Sequence, residues 1–444
     1  MKRREFLKTT CAGAAAVYAG CVNPIAAKDM NATRKNIVLI MADDLGYECI
    51  GSYGSTYKTP VLDNASKEGV FFNHAYSQPL CTPSRVQIMT GRYNHRNYVS
   101  FGYLDPKEKT FGNVFKDAGY KTCIAGKWQL SGDAERIKRF GFDEHCLWSM
   151  KPYGPGKNEF KDFELPKNNG SRYQSPVLYK NGQWFKGTAN DYGPTVCCDF
   201  ILDFIEKNKV EPFFVYYPMI LTHSPFPATP DSPDWQAGKE KTKGEGYFSD
   251  MVTYTDKICG RIEAKLKELG LFDNTVIMFT GDNGTNKSIT IPMKDGSTIR
   301  GGKGSMHDAG TRVPLIVWGG GMKKGVVTDS PVDFSDFFPT CLDIAGVPVP
   351  AKLKIDGTSF KPVLTGEKNS VRDAIFCYYD PKWGKWEKQV WARNIEYKLY
   401  SDGRFYCVKN DVSERNDLNK KKLSEKQIAI KKKLQQVIDK YLGN

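Results

Sequence analysis

The chain has 444 residues, of which 40% are hydrophobic and 26% charged. That balance can fill a full core and excludes collagen-like, low-complexity and wholly disordered chains. The net charge of +14 points to an anionic partner, whether nucleic acid, acidic lipid or acidic polymer, and does not choose among them. Beyond the N-terminal segment the longest apolar run, Phe213 to Leu221, is nine residues and contains Pro218. A membrane span needs about 20, so none is expected.

Lys2-Arg3-Arg4-Glu5-Phe6-Leu7-Lys8 precedes a small apolar stretch from Cys11 to Gly20. This reads as an export signal of twin-arginine type over residues 1–27 and places the mature protein in a bacterial periplasm or at the cell surface. Ala19-Gly20-Cys21 offers a lipoprotein site with a lipid anchor at Cys21, although Tyr18 stands where such sites prefer Leu; cleavage near Ala27 is the alternative.

Asn36 to Met41 is an apolar run ending at Asp43-Asp44, which predicts a buried parallel strand with acids at its carboxyl end. Thr110 to Gly119 predicts a helix, and Lys121 to Ala125 a strand leading into Gly126-Lys127. Pro194 to Asn208 reads as a helix, Pro212 to Met219 as a buried strand and Asp250 to Leu269 as an amphipathic helix. Thr275 to Thr280 is a strand before Asp282-Asn283, Val313 to Trp318 another, and Asp333 to Ala345 a helix. This alternation means an α/β sandwich with a mostly parallel sheet, whose sites form at the carboxyl ends of its strands. Residues 151–191 and 226–247 read as loop-heavy insertions that shape a pocket. Short aromatic strands between Ala374 and Val408, then a Lys-rich helix from Ser424 to Tyr441, predict a small antiparallel sheet with one helix. The expected division is a signal over 1–27, a catalytic domain over 28–350 and a C-terminal subdomain over 351–444. Of twelve cysteines, ten are scattered from Cys49 to Cys407 without a CxxC pair, so neither a disulfide framework nor a zinc site is expected.

The sharpest local signal is Cys81-Thr82-Pro83-Ser84-Arg85, followed by Thr90-Gly91-Arg92. Pro83 suits the first turn of a helix, and Thr82 and Ser84 are cap formers. Cys81 then sits at a helix N-terminus, which favours anions, with the fork of Arg85 one turn on. Alone, the pattern also fits a structural cysteine beside a capped helix. Asp43, Asp44, Asp282 and Asn283 add four oxygen donors at two strand ends. Adjacent acids repel unless a cation neutralises them, and hard oxygen donors suit Ca²⁺ or Mg²⁺ rather than zinc.

Together these residues resemble the signature of the formylglycine-dependent (type I) sulfatases, in the alkaline-phosphatase-like superfamily. Gly126-Lys127-Trp128, Thr222-His223-Ser224-Pro225 and Gly302-Lys303-Gly304 follow in the family's order, and the resemblance runs from Asn36 to the C-terminus. It implies hydrolysis of sulfate esters, with Cys81 converted to formylglycine (3-oxoalanine) by a maturation enzyme and its hydrate as nucleophile. It further implies one Ca²⁺ per chain, held by Asp43, Asp44, Asp282, Asn283 and modified residue 81. Arg85 would stabilise that residue, and Lys127, His223 and Lys303 would bind the sulfate oxygens, with His223 and Lys303 assisting the leaving alkoxide. One departure stands out: the family usually reads Gly-Lys-Trp-His-Leu, and this chain has Gln129 in place of that His. Gln129, His95 and His307 are further substrate-side candidates; His95 and His307 also fit ordinary packing roles. The charge surplus makes a sulfated carbohydrate the expected substrate, and nothing beyond charge suggests nucleic acid. A phosphodiester or phosphonate monoester hydrolase of the same superfamily, and an inactive carbohydrate-binding relative, are the alternatives.

Overall fold

A computed structural model describes residues 34–236 and 243–443. The signal over 1–27, with the lipid-anchor candidate Cys21, lies outside the described residues. Within them, ten strands make one sheet. In chain order they are β1 (Asn36–Ala42), β2 (Val70–Phe72), β3 (Lys121–Lys127), β4 (Glu144–Trp148), β5 (Val177–Lys180), β6 (Gln183–Lys186), β7 (Phe213–Pro218), β8 (Thr275–Gly281), β9 (Leu315–Gly319) and β10 (Val326–Thr328). The spatial order is β10-β2-β9-β8-β1-β7-β3-β4-β5-β6. The five central strands, β8-β1-β7-β3-β4, run parallel. Antiparallel pairs extend the sheet through β9 on one side and through β5 and β6 on the other.

The middles of the central strands are apolar because helices cover both faces. Seven helices matter here: α1 (Pro60–Glu68), α2 (Cys81–Thr90), α3 (Phe111–Asp117), α4 (Gly193–Lys207), α5 (Phe248–Glu268), α6 (Phe337–Ile344) and α7 (Glu425–Leu442). Val38, Ile40 and Ala42 of β1 face one layer, with Leu62 of α1, Cys197, Ile201 and Ile205 of α4, and Ile258 and Ile262 of α5. Ile37, Leu39 and Met41 face the other, with Val86 and Met89 of α2, Phe111 and Phe115 of α3, and Phe337 and Cys341 of α6. Period-two alternation in the strands and four-residue spacing in the helices produce this division.

The C-terminal residues form the antiparallel meander β11 (Ile375–Tyr379), β12 (Gln389–Arg393), β13 (Lys398–Tyr400) and β14 (Phe405–Tyr406). Leu434 and Ile438 of α7 pack on one face, against Ala392, Leu399 and Phe405. The other face presents Cys377, Tyr379 and Trp391 to Leu80, Cys81 and Phe101. The small sheet therefore closes over the start of α2. The ten described cysteines are free thiols, and all but Cys407 are buried.

One expectation gains detail and one changes. The loop-heavy 151–191 stretch also carries a hairpin, β5 and β6 on Asn181-Gly182, whose φ angles are 48° and 89°. An Asn-Gly pair between strands suits a turn with two positive φ values; the polar flanks obscured it. Thr82 and Ser84 do not cap α2. Its N-cap is Leu80, with no side-chain bond. Ser84 Oγ instead bonds the backbone of Gln78, and Thr82 Oγ1 accepts from the Gly102 N–H. Those bonds fix the approach to the helix rather than its first turn.

Gly126, just before Lys127, has φ +114°, and a Cβ there would lie 2.0 Å from the Pro218 carbonyl oxygen of β7. Gly126→Ala is expected to lower stability by about 2 kcal/mol or more. Gly246→Ala, where nothing lies within 4 Å of an added Cβ, is expected to change it by less than about 0.5 kcal/mol. Urea unfolding compares the two, and equal midpoints would rule out a required glycine at 126.

Candidate active site

Parallel neighbours bring their carboxyl ends to one edge of the sheet. Ala42 of β1 pairs with Gly281 of β8, so Asp43-Asp44 and Asp282-Asn283 leave their strands side by side. The Asp44 N–H donates to Asp282 Oδ1 at 3.0 Å. Beyond β7 the chain stays beside β1: the Asp43 N–H donates to the Leu221 carbonyl at 2.6 Å, and the Thr222 N–H to the Asp43 carbonyl at 2.7 Å. That delivers His223 to the same edge, and β3 delivers Lys127.

The three carboxylates and Asn283 are wholly buried. Lys127 Nζ donates to both Asp43 oxygens, at 3.0 and 2.8 Å. Lys303 Nζ lies 2.6 and 2.7 Å from the two oxygens of Asp44. Arg85 donates to Asp282 Oδ2 at 2.8 Å and to the Lys127 carbonyl at 2.9 Å. His223 Nε2 is 3.7 Å from Asp44 Oδ2.

Burial opposes ionisation of Asp43, but Lys127, His223 and Arg85 outweigh it and hold the carboxyl well below its usual range. Asp282 shows the opposite balance: burial, reinforced by Asp43, pushes it up to about 7 despite Arg85. Burial lowers His223 to about 4 against the pull of Asp44 and Asp43, so its imidazole is neutral near pH 7. Burial also raises the Cys81 thiol, which keeps it protonated and a poor nucleophile as encoded.

The donor set fits a hard cation. Ligand atoms of Asp43, Cys81 and Asp282 lie within 4.8 Å of one another, as do those of Asp43, Asp44 and His223. Asn283 Nδ2 donates to Asp44 Oδ1 and to the Gly284 carbonyl, both at 2.9 Å, while its Oδ1 is buried without a hydrogen-bond partner. Leaving such an oxygen unsatisfied costs about 1–3 kcal/mol. A Ca²⁺-like ion among three carboxylates and an amide oxygen would satisfy it.

The structure thus gathers Cys81, Arg85, Lys127, His223, Lys303, Asp43, Asp44, Asp282 and Asn283. Gln129 joins them: its Oε1 accepts from Cys81 Sγ at 2.9 Å and from Thr82 Oγ1 at 3.4 Å. His95 lies apart, against Tyr93, Phe376 and Tyr378 where the small sheet meets the segment after α2. His307 lines a separate cavity of about 410 Å³ with Trp386, Tyr400 and Glu414. Two residues escaped the sequence reading. Arg172 Nη2 stands 3.2 Å from His223 Nδ1. Glu48 accepts from Thr285 Oγ1 at 2.6 Å behind the acids. Neither sits in a motif, and both arrive through contacts distant in sequence.

The family profile described as Sulfatase matches residues 35–347. A second, described as N-sulphoglucosamine sulphohydrolase, C-terminal, matches residues 302–441. The chain is 30% identical to N-acetylgalactosamine-6-sulfatase of Rattus norvegicus over 420 residues, covering 85% of this chain and 75% of that protein. It is 31% identical to Arylsulfatase A of Homo sapiens over 400 residues, covering 82% and 74%. Among solved structures, Ps i-CgsB, also solved in complex with k-i-k-neocarrahexaose, matches with a TM-score of 0.74 and 26% identity over 92% of each chain. BT4656, solved with its substrate D-Glucosamine-2-N, 6-O-disulfate, matches with a TM-score of 0.75 over 93% of this chain and 99% of that one. At 22% identity that second match is a likeness of fold.

Glu48 supplies a pH test of the support behind the site. Burial raises its carboxyl to about 7 from an ordinary 4.5, against the Thr285 hydrogen bond, and its Oε2 has no hydrogen-bond partner. The folded state therefore prefers the protonated acid, and this contribution to stability is lost as pH rises from about 4.5 through 7. Glu48→Gln removes the titration. The variant is expected to gain on the order of 3 kcal/mol relative to the parent between pH 4.5 and 8. Denaturant unfolding across that range measures the difference, and parallel pH profiles would contradict a raised Glu48.

Proposed function

This chain belongs to the sulfatase family, and from that premise we propose that it releases sulfate from a sulfated carbohydrate, using one Ca²⁺ and a formylglycine made from Cys81. The observation that carries this reading is the convergence of Cys81 with three buried carboxylates, Asn283 and four basic groups at one edge of the sheet. A sulfate ester is a crowded, negatively charged electrophile, so its site must place cations on the sulfate oxygens and a proton donor at the leaving oxygen.

Asp43, Asp44, Asp282, Asn283 and residue 81 would hold the Ca²⁺, which when bound supplies positive charge beside the nucleophile. Formylglycine supplies, as its hydrate, the geminal diol that a buried neutral thiol is not. Lys127, Lys303 and His223, gathered around Asp43 and Asp44, would bind the sulfate oxygens. Lys303, and His223 when its Nε2 carries a proton, would supply the proton that the departing alkoxide needs. Arg85 holds Asp282 and the Lys127 carbonyl, and so keeps the acids and the first sulfate-binding lysine in register. Gln129 orients residue 81 by hydrogen bonding and cannot take up a proton near neutral pH, so proton transfer there falls to another group.

The net charge of +14 suits a polyanionic carbohydrate. Sulfated sugars are also named in the relatives N-acetylgalactosamine-6-sulfatase and BT4656 with its disulfated glucosamine. The Arg3-Arg4 start and the apolar stretch after it support export to the periplasm or cell surface as part of this reading.

The test is sulfate release from an aryl sulfate and a panel of sulfated oligosaccharides, after co-expression with a maturation enzyme. Peptide mass spectrometry should find the aldehyde or its hydrate at residue 81. Cys81→Ala, Asp43→Ala and chelation should each lower turnover by about 10³-fold or more, with Ca²⁺ restoring the chelated enzyme. Full turnover with only cysteine at 81 would sink the nucleophile, and turnover indifferent to chelation and to Asp43→Ala would sink the metal.

A further inference from the structure

The segment carrying Arg172 is held firmly beside the crevice. The Gly193 N–H at the start of α4 donates to the Tyr173 carbonyl at 2.8 Å, and the Ser175 N–H to the Asp191 carbonyl at 3.2 Å. The Tyr173 hydroxyl donates to the Ile220 carbonyl at 3.3 Å and to the His223 carbonyl. A Cβ on Gly193 would meet the Arg172 carbonyl oxygen at 1.9 Å, so the strap lies directly on the helix start. This aims the side chain. The guanidinium rests over the Trp148 ring at 4.4 Å and the Tyr173 ring at 5.3 Å, with Nη2 3.2 Å from His223 Nδ1.

Most partly or fully buried arginines of the described residues meet a carboxylate, whereas Arg172, like Arg312 over the Tyr47 ring, does not. Arg85 pairs with Asp282, Arg136 with Glu159, Arg372 with Asp333 and Arg393 with Asp308. No carboxylate among the described residues lies within 4.0 Å of Arg172, and its Nε is buried without a hydrogen-bond partner. The side chain opens onto a cavity of about 360 Å³ lined also by Ser171, Gln174, Pro225 and Lys243. That volume falls in the range of small-ligand sites. Two cations and no acid line it. A half-buried guanidinium on an aromatic face, lining a cavity and without an internal counter-charge, is disposed to take an anion from outside. Lys127, Lys303 and His223 already account for the sulfate under attack. Arg172 lines the cavity and stands 3.2 Å from His223, so the cavity adjoins the His223 side of the crevice.

We propose that Arg172, with Lys243 in the same cavity, binds a second anionic group of the saccharide, a carboxylate or a second sulfate, next to the ester being hydrolysed. This rests on the sulfatase reading above and adds its substrate class: saccharides with two neighbouring anionic groups. The fork of Arg172 reads either oxyanion, and Lys243 adds charge at the more exposed side.

The matured full-length enzyme is assayed on 4-nitrophenyl sulfate and on two pairs of sulfated oligosaccharides. In one pair the neighbouring sugar carries a carboxylate or the corresponding alcohol. In the other the sulfated sugar carries an N-sulfate or an N-acetyl group. The expected result is a preference of about tenfold or more in kcat/KM for the anionic member of one pair, expressed in KM and weakened by salt. The pair that shows it identifies the group. Arg172→Gln is expected to abolish most of that preference, losing about tenfold more on the anionic member than on the aryl sulfate. Lys243→Gln, at an exposed position away from the Trp148 stack, is expected to reduce it in part. Aryl sulfate turnover without preference in either pair overturns the proposal and leaves the sulfatase reading intact. A preference untouched by both substitutions overturns it as well, as does an equal fall of kcat on every substrate in Arg172→Gln, which would assign Arg172 to His223 alone. No sulfate release from any substrate by the matured parent enzyme overturns the reading on which it rests.

Discussion

Three carboxylates buried side by side cannot exist without compensating charge, and that constraint organises this molecule. Asp43, Asp44 and Asp282 have no exposure to solvent. An uncompensated buried charge costs several kcal/mol even after relaxation. Lys127, Lys303 and Arg85 each meet one of the acids, so the cluster is formally balanced three against three. Each cation comes from a different element: the end of β3, the 302–304 turn and the first turns of α2. Charge balance thus requires the sheet, the signature helix and that turn to be assembled together.

The balance is incomplete. Asp282 is raised to about 7 by burial and by Asp43 even with Arg85 attached, and Asn283 Oδ1 has no hydrogen-bond partner. Both observations say that the pocket holds more oxygen donors than its internal cations satisfy. A lysine that turns to a sulfate oxygen deepens the deficit, because it leaves its carboxylate with one partner fewer. On the proposed reading, the sites for substrate and for a hard cation would therefore be energetically linked through the same two ammonium groups.

What was legible in the sequence follows from the same physics. The acids at the ends of Asn36–Ala42 and Thr275–Gly281 could be read because apolar runs covered on both faces have a plain signature, and parallel strands place their carboxyl ends together. Cys81 to Arg85 was legible as a motif, and Thr110 as the start of a helix, where the fold adds a capping box to Asn113. The short strands Val70–Phe72 and Val326–Thr328 were not, since three residues carry no period and the pairing that makes them strands is long-range. Ser84 failed as a predicted cap because Gln78 offers both a backbone donor and an acceptor, a contact that propensity cannot anticipate. Arg172 was invisible for a related reason. Its meaning depends on Trp148, Gly193 and His223, which lie in three other segments, and on the carboxylate it does not meet.

Gln129 shows how a local departure from the family's pattern can sit inside an otherwise intact site. Its backbone has φ +54°, an uncommon angle for a residue with a side chain, and that angle turns the amide toward Cys81 Sγ. The segment's conformation is therefore set for a side chain that faces residue 81, whichever side chain it is. An amide there preserves the hydrogen bond and gives up the proton transfer, whereas loss of the turn would give up both. The imidazole of His223 approaches the cluster from the Asp44 side with its Nε2. On the proposed reading, orientation of residue 81 and proton movement at the leaving oxygen would fall to different residues beyond the ends of different strands, so a change at position 129 would leave the leaving-group side of the site as it was.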